Sequence, residues 1–526
     1  MKKNTLQIVV SLIIILFIVN PIFSQEKNLK IPLGKSIWWA GITNKGEIMP
    51  LENGFSATFY NNYGNQVNPL LISNDGQTVW SDKPYVFEVK NDTIFIYSKY
   101  DDLFYNRTGS TLKDAFLYAS KTYFPSAGKM PDELLFSAPQ YNTWIELMYN
   151  QNQKDILKYA KSIIDNGFPP GVLMIDDNWQ EDYGKLNFHQ GRFSDPKLMI
   201  DSLHDMGFKV MLWICPFVSP DCDIYRKLEQ EKLLLKDSSG KTAIVRWWNG
   251  ASALLDLSNP KTAKWFQEQL DYLQNKYKVD GFKLDAGDFE FYKNTVSFIP
   301  NTTPQQQSEL YGKIGLKYPL NEYRAMWKMA GQPIVNRLRD KSHQWKDLQK
   351  LIPDILLQGI VGYNFTCPDM VGGGEFTSFL PGAKLNQDMI VRSAQIHALM
   401  PMMQFSVAPW RILDHEHFTA VKKAIETRKK HTPLIMKLAK ESAKTGEPIV
   451  RSMEYVFPHK GYAKINDQFM LGDKIMVAPV LTQENKRTVI IPKGKWKDYK
   501  DKILKGPKTI NIKAAIDEIP IYEKIK

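Results

Sequence analysis

Beyond Leu134 the chain alternates short apolar runs with longer amphipathic stretches, and this rhythm limits the possible folds more than any other feature. Stretches such as NQKDILKYAKSIIDNGF and PKTAKWFQEQLDYLQNKYKV have helical periodicity. Strands that alternate with helices in this way form parallel βαβ units. The candidate strands are LLFSAPQYNTW, GVLMIDDNW, FKVMLWICPFVS, GFKLDAGD, PIVNR, GYNFTCPD, MPMMQFS and PIVRSMEY. The pattern predicts an α/β fold, a (β/α)8 TIM barrel over residues 135–457.

The segments on either side of the predicted barrel have a different texture. Residues 25–134 contain short alternating runs between turn residues, for example YVFEVKNDTIFIYS, where Asn91 and Asp92 separate two β-rich halves. This is a hairpin pattern, and with its neighbours it predicts an N-terminal β-sandwich. Residues 458–526 return to strands and turns in FMLGDKIMVAPVL and KRTVIIPKGKWKDY. We therefore expect a C-terminal β domain after the barrel.

Residues 1–24 have the pattern of a cleaved signal peptide. Lys2 and Lys3 precede an apolar run from about Ile8 to Val19, and small or polar residues follow around Ser24. The run is short for a membrane span, which favours export over a retained membrane anchor. We expect a periplasmic or secreted protein that has no membrane contact after the signal is cleaved.

Composition narrows the possible partners. The net charge of +12 raises the question of nucleic acid, but the lysines are interleaved with acids in stretches such as RKLEQEKLLLKDSSGK. Such a pattern is typical of a solvated basic surface, so no nucleic-acid partner is predicted. Cys215, Cys222 and Cys367 are too few for a disulfide framework and lack metal-ligand spacing. We predict no metal site and no cofactor, and the sequence leaves the oligomeric state open.

The stretch VDGFKLDAGDFEFY begins as a buried strand and then becomes strongly charged. Alternate side chains of a strand share a face, so Lys283 and Asp285 point to the same site. One interpretation is a structural ion pair at a strand end. The other is a catalytic carboxylate that a neighbouring ammonium keeps ionised, because an opposite charge lowers the pKa of a carboxyl group.

Polar residues collect where the predicted barrel strands end, and active sites of TIM barrels lie at that end. Each residue alone is explained by a helix cap or a turn. A barrel without function needs no carboxylate at the same end of so many strands, so together they predict an active site. The residues are Asp176, Asp177, Trp179, Asp285, Arg337, Asp340, Asp369 and Gln404.

A collinear set of short stretches resembles glycoside hydrolase family 31, closest to a branch that includes bacterial α-galactosidases. The stretches are IDDNW, VRWWNG, FKLDAGD, CPDMVGG, MMQFSVAPWR and GEPIVRS. By this resemblance Asp285 matches the catalytic nucleophile and Asp340, in NRLRDKSHQW, matches the general acid/base. The loop before Asp340 varies in length, which leaves Asp347 as a second candidate. Asp340 is preferred because it keeps its spacing to Arg337 and Trp345.

The resemblance also bears on the sugar. Members of the family that cleave glucosides typically read Asp-Ile-Asp on the second barrel strand, where this chain has Met174 in place of the first Asp. A His is usual after the seventh strand, where this chain has Ser406. Both departures argue against a glucose site. The IDDNW stretch together with Lys-x-Asp resembles the galactose-recognising residues of the clan that contains other retaining α-galactosidases.

Elementary chemistry agrees with a galactose site. An axial 4-hydroxyl points away from the ring face, and two adjacent carboxylates plus an ammonium can bracket it with charge-assisted hydrogen bonds. Apolar side chains can stack on the sugar, although core packing explains a Trp equally well. The predicted substrate-binding residues are Asp176, Asp177, Trp179, Trp213, Trp248, Lys283, Arg337, Asp369 and Gln404.

The resulting hypothesis is an exported retaining exo-α-glycosidase, and specifically an α-galactosidase whose partner is an α-linked galactoside or other oligosaccharide. Retaining glycosidases use two carboxyl groups about 5–5.5 Å apart, one as nucleophile and one as acid and then base. An α-glucosidase, α-xylosidase or transglycosylase of the same family is the alternative. A carbohydrate-binding pseudoenzyme would be favoured only if the carboxylate pair, Asp285 and Asp340, were broken.

Overall fold

The computed structural model describes residues 27–100 and 102–525, so the predicted signal peptide lies outside the described residues. Its central feature is a parallel eight-stranded sheet that is nearly closed into a barrel, with strand order β7-β6-β5-β4-β3-β2-β1-β8. The strands are β1 (Gln140–Asn142), β2 (Val172–Ile175), β3 (Lys209–Ile214), β4 (Gly281–Leu284), β5 (Leu320–Tyr323), β6 (Asn336–Arg337), β7 (Thr366–Cys367) and β8 (Gln404–Phe405). The predicted TIM barrel is confirmed.

One predicted barrel strand is wrong and one was missed. PIVRSMEY contributes Val450–Arg451, which pairs antiparallel with Phe469–Leu471 in the C-terminal sheet. The barrel instead contains β5, whose sequence LNEY has no apolar run. Asn321 donates to the carbonyls of Tyr318 and Pro333, and Glu322 accepts from Gln404. Buried polar side chains need such hydrogen-bond partners, and these partners come together only when the chain folds. The polar sequence of β5 therefore did not indicate a buried strand.

Helices surround the barrel as the amphipathic stretches predict. They are Gln153–Asp165, Pro196–Asp205, Pro260–Tyr277, Pro304–Ile314, Trp345–Ile360, Gln387–His397 and His415–Thr445. At the start of most of them, the side-chain oxygen of the capping residue accepts a hydrogen bond from a backbone N–H. The capping residues are Asn152, Asp195, Asn259, Thr303, Asn386 and Asp414. Such caps satisfy amide groups that have no partner within the helix. The first predicted strand also starts as a short helix, Leu134–Ser137, before β1.

The N-terminal domain contains two sheets. The first consists of Lys27–Pro32, Ser56–Thr58, Val86–Lys90 and Thr93–Ser98. The second consists of Trp38–Ile42, Gln66–Ser73, Gln77–Trp80 and Phe104–Arg107, and the barrel segment Met326–Trp327 joins it in parallel with Gln66–Ser73. The predicted hairpin is confirmed: Asn91 and Asp92 both have φ of 51°, as a tight two-residue turn requires. The helix Leu112–Tyr123 completes the domain.

The C-terminal domain is a six-stranded antiparallel sheet, and it confirms the predicted β character of this segment. Its strands are Val450–Arg451, Phe469–Leu471, Ile475–Val477, Lys486–Asp498, Ile503–Lys513 and Ile521–Lys524. No helix within residues 27–100 and 102–525 has the length and apolarity needed to cross a membrane.

Short elements after β2 and β3 build the rim of the barrel. A hairpin, Gln180–Asp182 with Lys185–Phe188, follows β2. A small sheet of Phe217–Val218, Ile244–Trp247 and Gly250–Leu254 follows β3. Short helical turns complete the described elements: Thr43–Ile48, Trp144–Leu147, Asp223–Gln230, Phe289–Tyr292, Gly315–Lys317, Phe376–Phe379, Pro409–Ile412 and Met453–Val456.

Candidate active site

A cavity of about 750 Å³ lies at the carboxyl end of the barrel strands. Several predicted site residues line it: Asp176, Asp177, Trp213, Trp248, Lys283, Asp285 and Asp340. Others also reach it from the N-terminal domain and from the loops after β1 and β7, among them Lys45, Tyr63, Trp144, Tyr149 and Phe376. The cavity therefore joins several barrel loops to the N-terminal domain.

Asp285 follows β4 directly and lies on the floor of this cavity, 8% exposed. Its Oδ1 accepts hydrogen bonds from Arg324 Nε and from the backbone N–H of Ala286, both at 2.8 Å. Its Oδ2 accepts from Trp213 Nε1 at 3.1 Å. Burial alone would raise the pKa of Asp285, but the charges of Arg324 and Lys283 outweigh it and hold the pKa well below its ordinary value. The carboxylate is ionised.

The structure changes the role expected for Lys283. Its ammonium donates to Asp176 Oδ2 at 2.6 Å, so the hydrogen-bonded ion pair joins β4 to the end of β2. The direct ionic partner of Asp285 is Arg324, which follows β5, the strand that the sequence analysis missed. Lys283 still acts on Asp285 through its charge. The short spacing of Lys283 and Asp285 identified the shared site but not the pairing.

Arg324 also connects the nucleophile candidate to the N-terminal domain. Its Nη2 donates to Asp288 Oδ2 at 2.5 Å, and its Nη1 donates to the backbone carbonyl of Gly64 at 2.8 Å. Its guanidinium lies 5.4 Å from the centre of the Trp248 ring. With its donors engaged on several sides, Arg324 holds Asp285 in one orientation.

Asp176 and Asp177 both reach the cavity because β2 ends at Ile175 and the chain turns into a loop. A regular strand would have pointed them to opposite faces. Asp177 accepts hydrogen bonds from Tyr183 Oη at 3.1 Å and from Asn249 Nδ2 at 2.5 Å. Tyr183 had not been predicted, and Asn249 lies in the VRWWNG stretch without having been selected as a site residue.

Burial and the neighbouring charge of Asp176 raise the pKa of Asp177 to about 7, although its hydrogen bonds to Tyr183 and Asn249 oppose this rise. Close to neutral pH, this side chain therefore exists in both protonation states. The protonated form can donate a hydrogen bond to a hydroxyl, and the ionised form can only accept one.

Asp340 lies at the cavity wall with 38% of its side chain exposed. Arg337 Nη1 donates to Asp340 Oδ1 at 2.6 Å and to Asp369 Oδ1 at 2.9 Å. Burial and the charge of Asp340 raise the pKa of Asp369 to about 7, with Arg337 opposing. Asp369 therefore releases its proton near neutral pH.

The alternative acid/base candidate, Asp347, lies elsewhere. Its carboxylate accepts from the backbone N–H of Ser342 at 2.9 Å and pairs with Lys350 at 3.1 Å, in the first turn of the helix Trp345–Ile360. It is not among the residues that line the cavity. The geometry favours Asp340.

Four predicted substrate-binding residues lie beneath the cavity and do not line it: Trp179, Arg337, Asp369 and Gln404. Trp179 is fully buried, packs on Phe188 and donates to the carbonyl of Trp213. Gln404 donates to Glu322 at 2.8 Å. Arg337 reaches the cavity only through Asp340, and the four buried side chains support the site without contacting a sugar in this arrangement.

An aromatic wall forms the side of the cavity that sequence reasoning missed. The ring of Trp144 lies 5.2 Å from that of Tyr149 and 5.4 Å from that of Phe376. Tyr149 Oη donates to Asn249 Oδ1 at 2.8 Å, which connects this wall to the Asp177 network. Trp144 stood at the end of the first candidate strand, QYNTW, but no pattern in the sequence assigned it to the cavity.

The cysteines are buried free thiols. In the part of the chain that the structure describes, no group of three or more His, Cys, Asp or Glu side chains is arranged to hold a metal ion.

A stability measurement can test the raised pKa of Asp177. Because its folded pKa of about 7 exceeds the ordinary value of 3.8, protonated Asp177 favours the folded state at low pH. That contribution is lost as the pH rises through about 7. Asp177→Asn removes the charge while its amide can still pair with Tyr183 and Asn249. The free energy of unfolding of Asp177→Asn minus that of wild type should therefore be larger at about pH 8 than at about pH 4, by up to about 4 kcal/mol.

The measurement is thermal or denaturant unfolding of both proteins at the two pH values. Asp280→Asn is the control, since Asp280 pairs with Lys209 and His204 at the other end of β4 and its loss should give no gain at high pH. An equal difference between Asp177→Asn and wild type at both pH values would contradict the prediction.

The barrel, the cavity at its carboxyl end and the paired carboxylates define an architecture shared by many glycoside hydrolases. Residues 135–438 match the model of the glycosyl hydrolases family 31 TIM-barrel domain, and residues 446–525 match that of the family 31 C-terminal domain. The chain belongs to glycoside hydrolase family 31.

Two curated relatives illustrate the breadth of the match. The chain is 32% identical to the myogenesis-regulating glycosidase of Mus musculus over 407 residues, which cover 75% of this chain and 57% of that protein. It is 24% identical to alpha-glucosidase 2 of Bacillus thermoamyloliquefaciens over 92% of this chain and 65% of that protein. The chain thus spans less than two thirds of the length of either relative.

Solved structures show the same fold. A family 31 dextranase from Flavobacterium johnsoniae, complexed with glucose, superimposes with a TM-score of 0.83 at 19% identity, over 95% of this chain and 66% of that one. A family 31 alpha-xylosidase from a soil metagenome, complexed with xylose, has a TM-score of 0.82 at 19% identity, over 95% and 79%. At this identity the likeness establishes the fold and not the substrate.

Proposed function

We propose that the protein is an exported retaining exo-α-glycosidase, and that it releases terminal α-galactose. The observation that carries the proposal is that one cavity contains both an ionised Asp285 and the partly exposed Asp340. Asp176 and Asp177 line the same cavity. Export rests on the pattern of residues 1–24, namely Lys2 and Lys3 followed by an apolar run. Sequencing the amino terminus of protein recovered from outside the cytoplasm would test it.

The chemistry divides between the two carboxyl groups. Asp285 Oδ1 already accepts two hydrogen bonds, whereas Oδ2 accepts only one, so Oδ2 keeps a lone pair for attack on the anomeric carbon. As that bond forms and the glycosidic C–O bond breaks, Asp340 gives its proton to the departing oxygen. Asp340, now ionised, then takes a proton from water, and the resulting hydroxide oxygen displaces Asp285 from the sugar.

The sugar assignment rests on the part of the cavity at the ends of β2 and β4. Asp176 and Asp177 are adjacent there, and Lys283 binds Asp176, so acceptors and a donor converge on one place. Met174 and Ser406 are buried and do not line the cavity, so neither replaces the family's usual glucose contacts. This arrangement supports galactose, whose axial 4-hydroxyl needs partners off the ring face.

Other sugars and other roles remain as test outcomes. The relatives include an alpha-glucosidase and an alpha-xylosidase, so hydrolysis of a glucoside or xyloside without a galactoside would assign this chain to those alternatives. Binding of sugar with no turnover would indicate the pseudoenzyme. A panel of nitrophenyl α-glycosides, followed by isothermal titration of any sugar that is not hydrolysed, separates these outcomes.

Single alanine variants test the sugar assignment more sharply. Asp176→Ala and Asp177→Ala should each lower the ratio of kcat/KM for nitrophenyl α-galactoside over α-glucoside by at least about tenfold, because a site built to bind a hydroxyl loses most when that bond cannot form. Asp182→Ala removes a carboxylate from the nearby hairpin, outside the cavity, and should leave the ratio unchanged. An unchanged ratio in both cavity variants would contradict galactose and spare the family assignment.

A further inference from the structure

Two cations line the cavity without a carboxylate partner among the residues that the structure describes. They are Lys45 of the N-terminal domain and Arg339, which directly precedes Asp340. The other cavity cations, Lys283 and Arg324, are both engaged by buried carboxylates. Lys45 and Arg339 are therefore available to a ligand.

The N-terminal domain holds Lys45 in place through the loop around Tyr63. Tyr63 has φ of 53°, an uncommon backbone conformation for a non-glycine residue. Asn44 Nδ2 donates to the carbonyl of Tyr63 at 3.0 Å, and the N–H of Tyr63 donates to Asn61 Oδ1 at 2.7 Å. The ammonium of Lys45 lies 4.9 Å from the centre of the Tyr63 ring. The loop and the turn Thr43–Ile48 thus present one aromatic ring and one cation to the cavity.

Arg339 lies against the same loop. A β-carbon placed on Gly64 would be 3.7 Å from both Cδ and Nη1 of Arg339, so the arginine side chain covers the backbone next to Tyr63. The backbone N–H of Arg339 donates to Asn65 Oδ1 at 3.1 Å. These two contacts, to Gly64 and to Asn65, bring Arg339 to the Tyr63 loop, against which Lys45 also lies.

This part of the cavity adjoins Asp340, which directly follows Arg339. A general acid lies beside the oxygen of the leaving group, so side chains next to it face the part of the substrate that departs. The rim also carries Glu290 and Glu375. Glu375 belongs with Phe376 to the loop after β7, and its charge acts on Tyr149 of the aromatic wall. Both acids lie near this part of the cavity: Asp288, two residues before Glu290, accepts from Asn62 Nδ2, and the N–H of Glu375 donates to the carbonyl of Lys341, next to Asp340. Neither acid forms an ion pair with Lys45 or Arg339 among the residues that the structure describes, so these two cations can still pair with a ligand.

We infer that the leaving part of the substrate carries an anionic group, which Lys45 and Arg339 bind. The inference rests on the proposed glycosidase function and adds the chemical class of the leaving group to it. An anion at this place would pair with two cations that otherwise face solvent, and Arg339 can offer two parallel N–H donors to it. The net charge of +12 would also attract such a substrate over distance.

A matched pair of substrates tests this inference. The para-carboxymethylphenyl and para-carbamoylmethylphenyl glycosides of the preferred sugar have similar size, and the methylene group keeps the acidity of their phenol leaving groups similar. Wild type should have a kcat/KM for the acid about three- to tenfold above that for the amide, as expected for two partly exposed charge pairs. Added salt should reduce this preference because it screens exposed charges.

Variants assign the preference to the two side chains. Lys45→Gln and Arg339→Gln should each lower the acid-to-amide ratio, and the double variant should bring it close to one, while Arg339→Lys should keep most of it. Lys264→Gln is the control, since it removes the same charge from a solvent-exposed side chain on the helix Pro260–Tyr277. Using the ratio within each variant cancels any effect of Arg339 on Asp340.

Equal hydrolysis of acid and amide by wild type would overturn the inference while leaving the glycosidase function intact. So would an unchanged ratio in the double variant, or an equal loss in Lys264→Gln. If wild type hydrolysed neither substrate nor any member of the glycoside panel, the proposed function itself would fail, and this inference with it.

Discussion

Asp285→Asn should lower kcat by about four orders of magnitude or more, the scale of loss seen when an enzyme's nucleophile is removed. The amide keeps the size of the side chain but cannot form the glycosyl-enzyme bond. Hydrolysis of a nitrophenyl α-glycoside, measured against wild type at equal protein concentration, gives the result. Near-normal turnover of every α-glycoside in the panel would show that Asp285 is not the nucleophile.

The variant is expected to fold, so loss of activity can be attributed to chemistry. Arg324 loses one ionic partner in Asp285→Asn but keeps Asp288 and the carbonyl of Gly64. Asp280→Asn is the matched control, because it removes a carboxylate at the opposite end of β4, where Asp280 pairs with Lys209. We expect the control to lose some stability and to retain kcat, as judged by thermal unfolding and the same assay.

Asp340→Ala should lower kcat/KM by about 10²- to 10⁴-fold for glycosides with poor leaving groups, the usual contribution of a general acid. The loss should be much smaller for a dinitrophenyl leaving group, which departs without a proton. Asp347→Ala, which removes a carboxylate outside the cavity, should leave both rates near wild type. A large loss in Asp347→Ala and not in Asp340→Ala would reverse the assignment.

Azide separates the two roles by the configuration of its product. In Asp340→Ala the glycosyl-enzyme still forms, so azide attacks it and yields the α-glycosyl azide. In Asp285→Ala azide occupies the place of the lost nucleophile and yields the β-glycosyl azide. Nuclear magnetic resonance of the product distinguishes them. The same anomer from both variants would contradict the assignment of distinct roles.

Prediction from the sequence succeeded where the signal is local. The hairpin at Asn91 and Asp92 follows from the two turn residues alone, because their side chains tolerate a positive φ. The barrel follows from repeated apolar runs and helices. The same signal failed for β5, whose Asn321 and Glu322 are buried with polar partners from other segments. It also took PIVRSMEY for a barrel strand, since an apolar run does not say which sheet it joins.

The sequence by itself determined the fold class and the placement of Asp285, Asp176 and Asp177 at strand ends, because these depend on periodicity and on neighbours along the chain. Only the tertiary structure decided that Arg324 pairs with Asp285 and that Lys283 pairs with Asp176. It also buried the ring of Trp179 and brought Lys45 into the cavity. Such contacts join residues far apart in the chain, and they exist only once the barrel closes and the N-terminal domain packs against it.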